Sequence, residues 1–145
     1  MARQSPLTIV AFGDSITACN TETPDDSMRW PVMLEKGLRV SFPSLNIVVI
    51  NAGVGGNTSR EGLARMEADV LAHDPDYVLV EFGGNDATPE PDRHVSLDEY
   101  RRNLAAMKSR LEAQGCAGMV LVTFPPIINE RHAWRNGSFG TGGPD

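Results

Sequence analysis

Residues 7–15 read LTIVAFGDS, an apolar run that ends in Gly13, Asp14 and Ser15. The run is rich in β-branched and aliphatic residues and stops at a glycine, which predicts a short strand buried on both faces. Such strands are typical of parallel sheets in α/β proteins. Gly13, Asp14 and Ser15 would then lie at the carboxyl end of the strand, where open α/β sheets bind ligands.

The rest of the chain alternates between helical and strand patterns. Further apolar runs predict strands at 46–50, 77–82 and 119–124. Capping boxes at Thr58 and Ser96 predict the starts of two helices, and Gly115 predicts the end of the second. An earlier helical stripe consists of Trp30, Met33, Leu34 and Leu38. The order β-α-β-α-β-α-β predicts a parallel sheet with crossover helices.

Composition narrows the functional classes. The 145 residues predict one domain, and 13 basic against 19 acidic residues give a net charge of −6. This charge argues against a nucleic-acid partner, because binding to nucleic acid depends on neutralising phosphates. The sequence has no polybasic run and no membrane-length apolar segment, so we expect no membrane partner. Cys19 and Cys116 are too few for a disulfide framework, which predicts reduced thiols and a cytoplasmic location.

Two glycine-rich segments follow the second and third predicted strands, at 53–58 and 83–86. Glycines at a strand end expose backbone N–H donors, which suit a phosphate or a developing oxyanion. A dinucleotide-binding fingerprint would require glycine where Thr58 stands. Asn85 supplies a side-chain amide that could also donate to an oxyanion. Each segment alone also has a purely structural interpretation as a helix cap or a tight turn.

Taken in order, Gly13-Asp14-Ser15, Gly56-Asn57-Thr58 and Gly83-Gly84-Asn85-Asp86 resemble the first three signature blocks of the SGNH (GDSL) hydrolase superfamily. The likeness is to its lysophospholipase/thioesterase/arylesterase-like members and covers about residues 7–124. It implies a flavodoxin-like three-layer α/β/α fold and hydrolysis of a small-molecule ester or thioester with no cofactor and no metal.

The resemblance also implies the roles of individual residues. Ser15 would be the nucleophile, and the backbone N–H groups of Ser15 and Gly56 together with the Asn85 side chain would be the oxyanion donors. We further expect Asp14, Asn57 and Asp86 to contribute to substrate binding.

The general base is missing from the matched blocks. The superfamily ends with an Asp-x-x-His block that supplies this base, and the sequence contains no Asp-x-x-His. His132 follows the fourth predicted strand and is a candidate substitute base, with a lid or pocket-wall role as the alternative. His94 lies in a loop at the motif-bearing end of the sheet. His73 is expected at the end of a helix on the opposite side.

We therefore expect 1–145 to be a single SGNH domain that is incomplete at its C-terminus and lacks the last strand and helix. Loss of the base would slow catalysis by roughly 10⁴–10⁶. The missing strand would leave an unpaired sheet edge, which predicts self-association. Two other functions stay open: a non-catalytic acyl- or carbohydrate-binding module, and a nucleotide- or flavin-binding domain of similar topology.

Overall fold

The computed structural model describes residues 5–18 and 26–123. Its sheet has the strand order β2-β1-β3-β4, and all neighbouring strands are parallel. This confirms the predicted α/β class, and the order matches the first four positions of the flavodoxin-like arrangement 2-1-3-4-5. The strands are β1 Leu7–Gly13, β2 Ile47–Gly53, β3 Tyr77–Glu81 and β4 Gly118–Leu121.

The helices are α1 Ser15–Ala18, α2 Trp30–Ser41, α3 Ser59–Asp69 and α4 Leu97–Gln114, with short 3-10 turns at Asp26–Met28 and Leu71–His73. The predicted helix starts are confirmed. The Thr58 N–H donates to Glu61 Oε2 at 2.7 Å, and Ser96 Oγ accepts from the Glu99 N–H at 3.2 Å. Gly115, with φ of 89°, ends α4 in the left-handed region as predicted.

The main hydrophobic core lies between one face of the sheet and helices α3 and α4. Val10 and Phe12 of β1 and Val78 and Val80 of β3 point to this face, since alternate strand residues share a side. The helices contribute Met66, Met107 and Leu111 to the same cluster. The opposite face carries Ile9, Ala11 and Glu81, each at most 6% exposed.

Helix α2 is where the predicted apolar stripe is wrong in part. Met33 is 53% exposed, while Leu34 and Leu38 are half-buried. Two charged side chains contact the sheet instead: Glu35 accepts from the Val49 N–H at 2.7 Å, and Arg39 donates to the Ile47 carbonyl at 2.8 Å. Because β2 is an edge strand, its outer backbone groups need such polar partners.

At the other edge, β4 pairs only with β3 among the described residues. Val120 and Leu121 are 49% and 58% exposed there. Self-association through this edge stays a prediction. Cys116 is a free thiol, whereas Cys19 lies outside the described residues. Within the part of the chain that is described, no helix has the length and apolar character needed to cross a membrane.

Candidate functional site at the carboxyl ends of β1, β2 and β3

The sheet register brings the three motif segments to one level. Gly13 at the end of β1 pairs with Gly53 at the end of β2 and with Glu81 at the end of β3. The chain then turns into α1 directly against the end of β2. A Cβ on Gly53 would lie 2.1 Å from the Ala18 nitrogen, so only glycine allows this close approach.

Ser15 is the first residue of α1 and is half-buried. The turn before it is held by Asp14, whose Oδ1 accepts from the Ile16 N–H at 2.9 Å. The second segment lies alongside, since a Cβ on Gly55 would be 3.9 Å from the Ser15 Cβ. The hydroxyl-bearing residue and the glycine-rich turn therefore face each other across the end of the sheet.

Asn85 connects all three segments. Its Nδ2 donates to the Asn57 carbonyl at 2.9 Å and to Asp14 Oδ2 at 3.2 Å. Because an amide nitrogen carries two hydrogens, both are directed at these two protein acceptors. The structure thus brings together the predicted residues Asp14, Asn57 and Asn85, with Ser15 directly after Asp14.

Gly56 lies at the exposed turn of the second segment with φ of 78°, in the left-handed region that favours glycine. Its carbonyl accepts from Arg93 Nη2 at 2.6 Å. Arg93 comes from the loop that follows the third segment and also lies 3.7 Å from a carboxylate oxygen of Glu90. This contact fixes the peptide that follows Gly56, and the sequence analysis had not identified it.

Arg65 of α3 is a second residue that the sequence analysis missed. Its guanidinium donates to the carbonyls of Gly13 and Ala52, each at 2.9 Å, and to Asn57 Oδ1 at 2.7 Å. It also lies 4.7 Å from the centre of the Phe12 ring. A single cation therefore ties the ends of β1 and β2 to the second segment. Two of its acceptors are backbone carbonyls, which leave no signal in a sequence.

Asp86 is 3% exposed and its carboxylate bonds at the start of α3. Both of its oxygens lie 3.0 Å from the Ser59 nitrogen, and the Ser59 hydroxyl donates to Oδ1. A carboxylate at a helix N-terminus is stabilised by the free N–H groups. Asp14 is likewise 2% exposed. Substrate contact by Asp14, Asn57 and Asp86 stays a prediction. Asn57 bonds to Arg65 and Asn85.

Glu81 lies at the end of β3 and is 1% exposed. Its Oε2 accepts from the Thr17 hydroxyl of α1 at 3.1 Å. Burial, followed by the charge of Asp14, raises the pKa of Glu81 to about 7. Burial also raises the pKa of Asp14, against the lowering effect of its bond from Ile16. The site therefore rests on two buried, interacting carboxyl groups.

The histidines are distributed as the sequence predicted, as far as they are described. His73 ends the 3-10 turn that precedes β3, at the opposite end of the sheet from Ser15. The Nδ1 atom of His94 lies 3.1 Å from the Thr88 carbonyl oxygen in the loop after the third segment. His132, the candidate substitute base, lies outside the described residues.

A cavity of about 390 Å³ borders the third segment. It is lined mainly by apolar and aromatic groups, among them Phe82, Ala87, Val95, Leu97 and Tyr100. Gly83 and His94 contribute to its wall. Within residues 5–18 and 26–123, no group of three or more His, Cys, Asp or Glu side chains is arranged to hold a metal ion.

Comparison with known proteins gives consistent results. The model of the GDSL-like lipase/acylhydrolase family matches residues 11–140. The chain is 32% identical over 126 residues to the esterase TesA of Pseudomonas aeruginosa, covering 86% of this chain and 59% of that protein. It is 34% identical over 112 residues to an acetylxylan esterase of Geobacillus stearothermophilus, covering 68% and 51%.

The crystal structure of Axe2, an acetylxylan esterase from Geobacillus stearothermophilus, superimposes with a TM-score of 0.66 at 33% identity, covering 83% of this chain and 61% of that one. The chain thus spans between half and three fifths of the length of these relatives.

Proposed function

The chain belongs to the GDSL-like lipase/acylhydrolase family, and from this premise we propose that it is a carboxylic ester hydrolase with Ser15 as its nucleophile. One observation carries the proposal. Asn85 donates to both Asp14 and the Asn57 carbonyl, so that segments from three different strand ends meet beside Ser15. A serine, a glycine-rich turn and a side-chain amide in one place are the groups that acyl transfer requires.

In the proposed reaction, Ser15 Oγ adds to the ester carbonyl while a general base accepts the hydroxyl proton. Negative charge develops on the carbonyl oxygen, where the N–H groups of Ser15 and Gly56 and the Asn85 amide donate hydrogen bonds. The intermediate collapses by expelling the alcohol, which takes up the proton. Water then attacks the acyl-serine by the same route and releases the acid, which restores the Ser15 hydroxyl.

We propose His132 as a substitute base, because it follows the fourth strand in the sequence, whereas His73 lies at the opposite end of the sheet from Ser15. Without an oriented Asp–His pair, we expect turnover by the 145-residue chain to be slower by roughly 10⁴–10⁶ than that of a complete triad. The variant His132→Ala should lower the remaining turnover further, with His73→Ala as the matched control. Equal rates in the two variants would remove His132 from the proposal.

The cavity beside the third segment supports a small ester with an apolar acyl group as the substrate class. Its walls are mostly apolar, with Phe82, Val95 and Tyr100 among them, and Asp86 and His94 add polar groups. An acyl group of a small ester suits such a lining, because burying apolar surface is favourable. The named activities of the relatives are also ester hydrolyses.

Covalent labelling tests the nucleophile directly. A fluorophosphonate probe should label the wild-type chain slowly, because the base is incomplete, and should label the Ser109→Ala control, whose substitution lies on the exposed surface of α4, at the same rate. Ser15→Ala should stay unlabelled over the same long incubation. Hydrolysis of p-nitrophenyl acetate and butyrate should follow the same order. If neither wild type nor control is labelled while the protein binds a fatty acid or a xylo-oligosaccharide, the binding-module alternative replaces the hydrolase.

A further inference from the structure

The buried carboxyl group of Glu81 has no part in the proposed ester hydrolysis, although it lies directly beneath the site. It is 1% exposed, and its Oε1 is fully buried with no hydrogen-bond donor among the described residues. Its other oxygen accepts from the Thr17 hydroxyl. A buried carboxylate oxygen without a donor is costly, so Oε1 is the atom on which a proton is expected.

Asp14 is the group with which Glu81 interacts by charge and by side-chain hydrogen bonding. The two carboxyl groups differ in the donors available to them. Asp14 accepts from the Ile16 N–H and from Asn85 Nδ2, which favours its charged form. Glu81 accepts from the Thr17 hydroxyl, and the Asp14 backbone also lowers its pKa, but burial and the charge of Asp14 raise that pKa by more. Two close carboxyl groups in a buried site do not both ionise readily, so a single proton is retained and resides mainly on Glu81.

This proton bears on Asn85, because Asp14 competes for one of its two amide hydrogens. The bond to Asp14 is the longer of the two, at 3.2 Å against 2.9 Å to the Asn57 carbonyl. An oxyanion can receive a hydrogen from Asn85 only if one of these bonds is given up or shared. When Glu81 donates a hydrogen bond to Asp14, the negative charge of the Asp14 carboxylate is partly neutralised and its hydrogen bond with Asn85 is weakened.

We propose that Glu81 and Asp14 share one proton beneath the site and that this proton sets the hydrogen bonding of Asn85. Glu81 is then a positioning residue of the ester hydrolase site, and this role rests on the proposed function. When the proton leaves, Asp14 holds Asn85 more tightly and two negative charges lie close to the developing oxyanion. Both effects weaken the oxyanion hole.

Three other ionisable residues, in the loop after β3, on α4 and on α3, interact with the pair of carboxyl groups or with the backbone beside it. Asp86, in the loop after β3, raises the pKa of Asp14 by its charge, in addition to the larger effect of burial. Tyr100 of α4 has its own pKa raised by burial and then by the charges of Asp86 and Glu81. Arg65 of α3 is a cation that donates to the carbonyl of Gly13, the residue before Asp14. The pKa of Glu81, raised to about 7 by burial and the charge of Asp14, places the loss of the proton near neutral pH.

The test follows the Asn85 side-chain amide by ¹H–¹⁵N NMR from pH 5 to 9, a readout that needs no turnover. Its resonances should move with a midpoint near pH 7 in the wild type. Glu81→Gln keeps a donor toward Asp14 and an acceptor for Thr17 but cannot ionise, so this pH-dependent movement should vanish. The exposed Glu67→Gln on α3 should behave as wild type.

His94→Gln identifies whether His94, in the loop after the third segment, causes the movement, and the midpoint should stay unchanged in this variant. An Asn85 signal that is constant across this range in the wild type, or that still moves in Glu81→Gln, would overturn the proposal. Fluorophosphonate labelling keeps the two proposals apart. Labelling of Ser15 without movement of Asn85 rejects the shared proton alone, and movement without labelling rejects the hydrolase alone.

Discussion

Replacing Glu81 with glutamine should change how the stability of the protein depends on pH. The pKa of Glu81 is about 7 in the folded protein, because of burial and the charge of Asp14, against an ordinary value of 4.5. Between these two values the folded state keeps the proton that the unfolded state has released. The contribution of Glu81 to the free energy of unfolding of the wild type therefore falls as pH rises from about 4.5 to 7 and levels off above that range.

The size of this fall follows from the difference between the two pKa values. A difference of about 2.5, at about 1.4 kcal/mol for each pKa unit, corresponds to about 3–4 kcal/mol. Glutamine does not ionise, so Glu81→Gln should lack this contribution. Its stability relative to wild type should rise by about that amount between pH 4.5 and pH 8.

Urea unfolding followed by far-UV circular dichroism, at pH steps from 4.5 to 8.5, measures this difference. The comparison uses the slope of the free energy of unfolding against pH, because the glutamine amide also changes stability by a constant amount at every pH. Glu67→Gln, on the exposed side of α3, is the matched control and should run parallel to wild type. Parallel curves for wild type and Glu81→Gln would refute the reasoning, since they would mean that the buried carboxyl group titrates normally.

Two further changes test the packing of the site. In Gly53→Ala the new Cβ would lie 2.1 Å from the Ala18 nitrogen, so we expect the free energy of unfolding in urea to fall by about 2–3 kcal/mol. In the control Gly37→Ala nothing lies within 4 Å of the new Cβ, so the free energy of unfolding should rise by about 0.5–1 kcal/mol. Equal effects of the two substitutions would contradict the close approach of α1 to β2. Arg65→Lys should lower the free energy of unfolding by about 2–3 kcal/mol, because one ammonium group cannot donate to the Gly13 carbonyl, the Ala52 carbonyl and Asn57 together. The control Arg110→Lys, on an exposed residue, should change the free energy of unfolding little. A neutral Arg65→Lys would show that the guanidinium does not hold the two strand ends.

The features that the sequence predicted well are those with local causes. The apolar run at 7–12 and the glycine after it depend on neighbouring residues, and β1 ends at Gly13 as expected. The caps at Thr58 and Ser96 depend on a partner three residues away, and both helices begin there. Because the motifs directly follow strands, their common position at one end of the sheet could be inferred from parallel topology alone.

The features that were missed depend on contacts between distant parts of the chain. Arg65 reaches back 52 residues to the Gly13 carbonyl, and Arg93 reaches back 37 residues to that of Gly56. The exposure of Met33 has the same origin, because α2 uses Glu35 and Arg39 to satisfy an edge strand. Hydrophobic periodicity does not register a backbone carbonyl that needs a donor, and so it assigned the contact face of α2 to apolar residues alone.

Glu81 lies outside the three motif segments, but its protonation affects their geometry. A glutamate in the last position of an otherwise apolar strand, 1% exposed, must be neutral, paired or both. Glu81 interacts with the charge of Asp14, which lies inside the first motif and bonds to the amide of the third. The protonation of one residue in the strand and the geometry of two motifs are therefore coupled through a single carboxylate. We therefore expect the proposed hydrolase site to depend on pH through Asn85 as well as through its general base.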